Sequence, residues 1–258
     1  MADLVIKEDR HQRNRERISP LKPKLKPYHV RLDCYKDYAA IYLNPQLWPK
    51  KYEKFNFEKI NKHDNFKAWR ESKSSHMLLL CGRSHMNCGY HWLSAAALYL
   101  LQILDQNENA TGHRPLFIFL HPEPWLPDNI HVPQTTAMSL LIWQFLEQFP
   151  EISEDTNFFE SLEEKIEREE WLAVDCSEQY DVLKDLLSRR AETNIIIDRL
   201  DSCACPVDIF VQNLLVLLSQ CSSMVRIFAV LSGPFEVDDL VSSHKRRLSV
   251  ITMDQQRR

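Results

Sequence analysis

Glycine is almost missing from this sequence. Only four of its 258 residues are glycine: Gly82, Gly89, Gly112 and Gly233. The usual share is about 7%. Each one therefore asks for a backbone reason, such as a turn or a close approach that no Cβ would allow. Two of the four fall inside one short stretch, MLLLCGRSHMNCGYHWLS, at residues 77–94.

Strong bulk charge is missing too. The formal net charge is −4 and the pI about 6.2, which gives no argument for nucleic acid or an anionic membrane as a partner. No apolar run approaches the roughly 20 residues that cross a bilayer, so no membrane span is expected. A zinc signature is also lacking. Seven cysteines stand at 34, 81, 88, 176, 203, 205 and 221. Cys203-Ala-Cys205 is too short a clip, and no second pair follows at a zinc-like spacing. His76, His85 and His91 match no common metal spacing either. Neither Cys88 nor Cys176 stands in a cysteine-hydrolase signature. Residues 1–26 are polar and basic rather than leader-like. Reduced thiols and a cytoplasmic location are therefore expected, with a nuclear location left open by the basic N-terminus.

What the sequence does have is an ordinary globular composition. It is 44% hydrophobic and 26% charged, and long enough to bury a full core. Residues 1–30 are expected to form a basic flexible arm. They hold Lys7, Arg10, Arg13, Arg15, Arg17, Lys22, Lys24 and Lys26, interrupted by Pro20, Pro23 and Pro27. With few apolar residues such a segment gains little by ordering. A solubilising tail and an arm for an acidic partner both remain open. Residues 31–75 are rich in aromatics, with Tyr35, Tyr38 and Tyr42 at helical spacing. They are expected to be a helical segment that packs on the core.

From residue 76 short apolar runs alternate with helical patterns. The runs are Met77–Cys81, Pro115–Leu120, Asn194–Asp198, Val225–Leu231 and Leu248–Met253. Continuous apolar strands separated by helices indicate a mostly parallel sheet covered on both faces. Residues 76–258 are therefore expected to form an α/β domain, a three-layer sandwich. In such sheets ligands bind beyond the carboxyl ends of the strands. Two ends stand out, at Gly82 and at Asp198.

A phosphate-binding loop needs a strand, glycines that let backbone N–H groups approach, and a helix N-terminus. The order strand, Gly82, Gly89, helix has that layout. Gly82, Arg83, Ser84, Gly89, Tyr90 and His91 are the candidate phosphate loop; an exposed polar loop is the alternative. A helix starting near Gly89 would face its amides to an anion. A start at Ser94, before Ala95-Ala-Ala97, would carry the loop away from it. Asp198 follows three isoleucines, where a carboxylate is costly unless solvated, paired or metal-bound. It either serves Mg²⁺ or caps the following turn.

The order of these elements, with Ile195-Ile-Ile-Asp-Arg-Leu-Asp201 and Val225–Ser232, resembles the STAND class of P-loop NTPases, NACHT domains in particular. Gly89-Tyr-His-Trp-Leu-Ser-Ala-Ala96 resembles a loop-to-helix segment of such proteins in filamentous fungi. The resemblance covers about residues 76–255. It implies ATP or GTP with Mg²⁺ as cofactor. It assigns Asp198 to the metal and Asp201 to the neighbourhood of the hydrolytic water, both as catalytic candidates. It also implies protein partners and a signalling role.

The departures are specific. Setting Gly89 on the second glycine of G-x-x-x-x-G-K-[ST] puts Tyr90 at the lysine and His91 at the Ser/Thr. Tyrosine brings no charge to the phosphates, and neutral histidine is a poor ligand for a hard cation. Gly233-Pro234 stand where the family often has Ser-Arg. The winged-helix and repeat domains of STAND switches are not among these 258 residues. The expectation is a regulatory nucleotide-binding fold with weak or lost hydrolysis. The alternative is an interaction scaffold that kept the fold and binds no nucleotide. Separately, Arg246-Arg-Leu-Ser249 resembles a site for a basic-directed kinase.

Overall fold

The structure is a computed structural model. It describes residues 2–26, 55–83, 92–106, 114–120, 131–168, 171, 175–233, 243–244 and 246–253. The chain begins with helices α1 (Ala2–Ile18), α2 (Lys22–Leu25), α3 (Phe57–Asn61) and α4 (Asp64–Glu71). Strand β1 (His76–Cys81), helix α5 (Ser94–Gln106) and strand β2 (Leu116–Phe119) follow. Three helices come next: α6 (Gln134–Gln148), α7 (Thr156–Glu167) and α8 (Ser177–Leu187). The chain closes with β3 (Glu192–Asp198), α9 (Val207–Gln220), β4 (Met224–Leu231) and β5 (Leu248–Thr252).

These elements fall into two compact units. One takes Met1–Arg31 with Gln134–Leu186; the other takes Leu32–Pro133 with Leu187–Arg258. This divides the 76–258 stretch that the sequence reading joins.

In the first unit residues 2–26 are helical, where the sequence reading expects a flexible arm over 1–30. The reason lies in a few apolar residues and in acidic partners far along the chain. Ile18, Leu21 and Leu25 are buried. The Arg10 guanidinium pairs with Glu154, and Asn14 donates to the same carboxylate at 2.7 Å. Arg17 lies 4.8 Å over the Phe159 ring, and Lys22 lies 5.6 Å over Trp143. Cationic heads thus sit over aromatic faces, and the Arg17 guanidinium also donates to Ser153 O at 2.5 Å. Helix α6 is buried on nearly every side, including Gln134, Thr135, Thr136, Ser139 and Gln144. Some of its polar atoms find partners. Trp171 Nε1–H donates to Ser139 Oγ at 3.1 Å, and Gln134 donates to the Tyr180 hydroxyl at 2.6 Å.

The second unit holds the sheet. Its five strands are all parallel, in the order β2-β3-β4-β1-β5. It is an α/β sheet flanked by helices, as the sequence predicts. All six residues of β1 are buried, as are the last four of β3 and the last five of β4. That is the pattern of strands covered on both faces. On one face Leu78, Leu80, Ile196, Phe228, Val230 and Ile251 join Ile60, Phe66, Trp69 and the apolar face of α5. Trp69 packs on Phe228 with ring centroids 5.9 Å apart. The remaining aromatics expected to pack here, Tyr35, Tyr38, Tyr42, Trp48 and Tyr52, lie outside the described residues.

The strand order positions the candidate site. β4 sits between β1 and β3, with Cys81 opposite Leu231 and Ile197 opposite Ala229. The carboxyl ends of β1, β4 and β3 therefore form one contiguous edge. Gly82, Ser232 and Asp198 stand along it.

Candidate functional site at the carboxyl edge of the sheet

Gly82 follows the last residue of β1. A Cβ added there would lie 1.6 Å from the Met253 carbonyl oxygen and 2.7 Å from its carbon. Met253 N–H donates to Cys81 O at 2.8 Å. The glycine is required because the end of β5 lies against it, a close backbone approach of the kind only glycine permits. Arg83 follows, and its carbonyl accepts from Trp92 Nε1–H at 3.2 Å. Trp92 is 2% exposed and packs edge-on against Phe55. The loop between them thus starts and ends at one hydrogen bond. Ser84, Gly89, Tyr90 and His91 lie outside the described residues. Helix α5 begins at Ser94, the later of the two starts left open by the sequence.

Asp198 ends β3 and is 1% exposed. Its backbone carbonyl accepts from Leu120 N–H at 3.0 Å, which fixes it beside the end of β2. Burial pushes its carboxyl up to about 7, against smaller opposing contributions from the Ser94 hydroxyl and the Arg199 charge. The Ser94 hydroxyl is near enough to act on it, yet neither Asp198 Oδ1 nor Ser94 Oγ makes a hydrogen bond of normal geometry among the described residues. Two buried polar atoms at the end of β3 thus lack a hydrogen bond of normal geometry among the described residues, although the Ser94 hydroxyl and the Arg199 backbone N–H both act on the carboxyl. Such atoms are costly without a partner.

Arg199 then turns the chain in the left-handed region, with φ 59° and ψ 50°. For a residue with a Cβ this costs on the order of 1–3 kcal/mol. The turn delivers Asp201 to the end of β4. Ser232 N–H donates to Asp201 Oδ1 at 2.9 Å, and the Ser232 hydroxyl donates to Oδ2. Arg199 Nε lies 3.6 Å from the same oxygen. Both oxygens of Asp201 are engaged in tying β4 to the turn after β3. The Cys81 thiol nearby is pushed up to about 12, first by burial and then by the Asp201 charge. It is an inert thiol at neutral pH.

The structure therefore brings Gly82, Asp198 and Asp201 to one edge. It adds Ser94, Trp92, Ser232 and Met253, which sequence reasoning did not assign to the site. Ser232 follows β4 and lies in the Val225–Ser232 stretch that carries the family resemblance, so its place was nearest to being readable. The contacts of Met253 and Trp92 depend on tertiary approach and carry no local signal. Among the described residues, no group of three or more His, Cys, Asp or Glu could hold a metal. A cation at Asp198 would complete its shell with hydroxyl, phosphate or water oxygens. Mg²⁺ accepts such a set, often taking only one or two carboxylates. Asp198 Oδ1, without a hydrogen bond of normal geometry among the described residues, fits that use. The phosphate side lacks the lysine of the usual pattern.

Asp201→Ala should remove both Ser232 bonds and leave that hydroxyl half-buried without its acceptor. A loss of roughly 2–3 kcal/mol in all is expected, since a bond to a charged group contributes about 1.5–3 and the partial exposure of Asp201 reduces what the two bonds sum to. Urea unfolding of the two proteins measures it; equal midpoints would show the tie to be idle.

Among the described residues, no helix is long and apolar enough to cross a membrane. No curated protein matches this sequence significantly. A family profile does match: the one described as Nephrocystin 3, N-terminal, over residues 56–230. That span is more than half of the chain. It includes β1 to β3 and all but the last residue of β4, and with them Gly82, Ser94, Asp198 and Asp201. The chain belongs to the nephrocystin 3 N-terminal family.

Proposed function

We propose that the chain is a nucleotide-binding regulatory module of the STAND/NACHT type, with weak or lost hydrolysis. The observation that carries this reading is the buried Asp198 Oδ1 beside Ser94 at the end of β3, which has no hydrogen bond of normal geometry among the described residues. A carboxylate in that position is destabilising in the empty fold. With Mg²⁺-nucleotide bound at this edge, the same carboxylate would supply a ligand oxygen to the metal and become a favourable contact. ATP and GTP are the candidate ligands. Weak hydrolysis follows from the missing lysine, because phosphoryl transfer rests on positioning and charge stabilisation. The engagement of Asp201 by Ser232 also leaves it less free to orient water.

Two observations favour the second reading, a scaffold that binds no nucleotide, and the first is that α5 begins at Ser94, the start that carries the loop away from an anion. The second is that Gly82 and Asp201 both have structural reasons that need no ligand: the Met253 approach and the Ser232 tie. Under that reading the edge of the sheet would serve a protein partner instead.

Thermal melts separate the two. Millimolar Mg²⁺-ATP or Mg²⁺-GTP is expected to raise the melting temperature, since ligand at 100 times Kd stabilises by about 2.7 kcal/mol. The nucleotide without Mg²⁺ should give a smaller shift. No shift with either triphosphate would leave the scaffold reading standing.

A further inference from the structure

Ser249 is the third residue beyond Arg246 and the second beyond Arg247. It lies in β5, at the edge of the sheet. Arg246 is exposed, Arg247 and Ser249 are half-buried, and Leu248 is buried. The segment is already extended, as a kinase cleft requires of its substrate. We propose that Ser249 is a phosphorylation site for a basic-directed protein kinase, and that its modification holds β5 away from β1.

The geometry makes the site cryptic while β5 is docked. Ser249 Oγ lies 3.0 Å from Nε2 of His76, and His76 is 8% exposed. Several bonds hold the strand in place. Met77 N–H donates to Arg247 O at 2.7 Å, and Met253 N–H to Cys81 O at 2.8 Å. Asn65 Nδ2–H donates to Val250 O at 2.7 Å. A kinase reaches the hydroxyl once these bonds open. It then moves the γ-phosphoryl of Mg²⁺-ATP to Ser249 Oγ. The bond from the γ-phosphorus to the β–γ bridging oxygen breaks, the Oγ–P bond forms, the hydroxyl proton passes to the kinase base, and ADP leaves.

The product resists redocking. A phosphoryl group adds about −1.5 to −2 charges. In the docked strand it would press on His76, whose pKa burial holds below its ordinary value. A hydroxyl 3.0 Å from a buried ring leaves no room for the added phosphoryl oxygens, and their charge would have to be desolvated there. Released, the phosphate is solvated and Arg246 and Arg247 are beside it in sequence. Phosphorylation therefore biases a two-state strand toward its open state. Opening also lifts Met253 from Gly82, which frees the turn at the head of the candidate phosphate loop. That last consequence rests on the nucleotide reading; the modification itself does not.

The test incubates the full chain with the catalytic subunit of cyclic-AMP-dependent protein kinase and Mg²⁺-ATP. Phosphate at Ser249 is quantified by mass spectrometry, beside a peptide of residues 243–253. The full chain is expected to be labelled at Ser249 at least about tenfold more slowly than the peptide. Gly82→Ala, which drives a Cβ into Met253, should narrow that gap about tenfold. Ser249→Ala should show no label at that position. Amide hydrogen exchange of Leu248–Thr252 should speed up in the phosphorylated wild type, which decides the matter even if Gly82→Ala does not fold. No label on the full chain overturns the proposal, as does labelling at the peptide rate. Unchanged exchange after labelling overturns it as well. None of these readouts requires nucleotide at Asp198, so this proposal and the nucleotide reading fail separately.

Discussion

Asp198→Asn is expected to melt roughly 10 °C above the wild type at pH 8 and close to it at pH 4. The sign follows from burial. The carboxyl has an ordinary value near 3.8, and in the fold it stands at about 7. The native state therefore holds its proton more tightly than the unfolded chain does. Below about pH 4 both states are protonated and the group costs nothing. As pH rises from 4 the unfolded chain gains by ionising, and native stability falls until pH passes about 7. A gap of about three pKa units corresponds to roughly 4 kcal/mol. Asparagine keeps the shape, can still face Ser94 and never ionises, so it removes the loss. Thermal melts across pH 4–8 at fixed ionic strength measure it. Parallel profiles for the two proteins would mean that Asp198 already has an ionic partner.

The second large effect is expected at Gly82. The nearest atoms to its Cβ position are the backbone carbonyl oxygen and carbon of Met253. A side chain can rotate away from an intruding methyl; a strand end held by its own hydrogen bond yields only by undocking. Gly82→Ala should therefore separate Met253 from Cys81 and weaken the seat of Ile251. A loss of about 3 kcal/mol or more is expected, beyond the usual range for an added methylene. Gly233 supplies the control. Among the described residues nothing stands within 4 Å of its Cβ position, and its backbone is not left-handed. Gly233→Ala should change stability by no more than about 0.5–1 kcal/mol, and in the stabilising direction. Urea midpoints of the three proteins test both. Equal midpoints for Gly82→Ala and the wild type would show that β5 does not need this contact.

Much of the sheet was legible in the sequence, and for a physical reason. Parallel strands buried on both faces must be continuous apolar runs, and runs such as Met77–Cys81 and Asn194–Asp198 cannot be mistaken for amphipathic surface. The N-terminal segment shows the opposite case. Its cationic residues suggest a solvated arm. Three apolar residues, Ile18, Leu21 and Leu25, and the distant Glu154 instead hold residues 2–26 in a helical unit. Local composition has no access to a partner more than a hundred residues away.

The candidate site divides in the same way. Asp198 was readable because a carboxylate after three isoleucines is an energetic anomaly in any fold. The reason for Gly82 was not readable. Its scarcity marked it as a required glycine, but the atom that requires it is Met253, which arrives from the other end of the chain. Asp201 illustrates a third case. The motif gave its position, and tertiary structure gave it Ser232 as a partner.

The central claim is that this edge of the sheet binds a nucleotide through Asp198. Isothermal titration of Mg²⁺-ATP and Mg²⁺-GTP into the wild type and Asp198→Asn at pH 7.5 tests it most directly. The account predicts saturable binding of at least one triphosphate to the wild type, weakened about tenfold or more in Asp198→Asn although that variant is the more stable protein. No heat of binding to the wild type, or equal affinity in the two proteins, would contradict it.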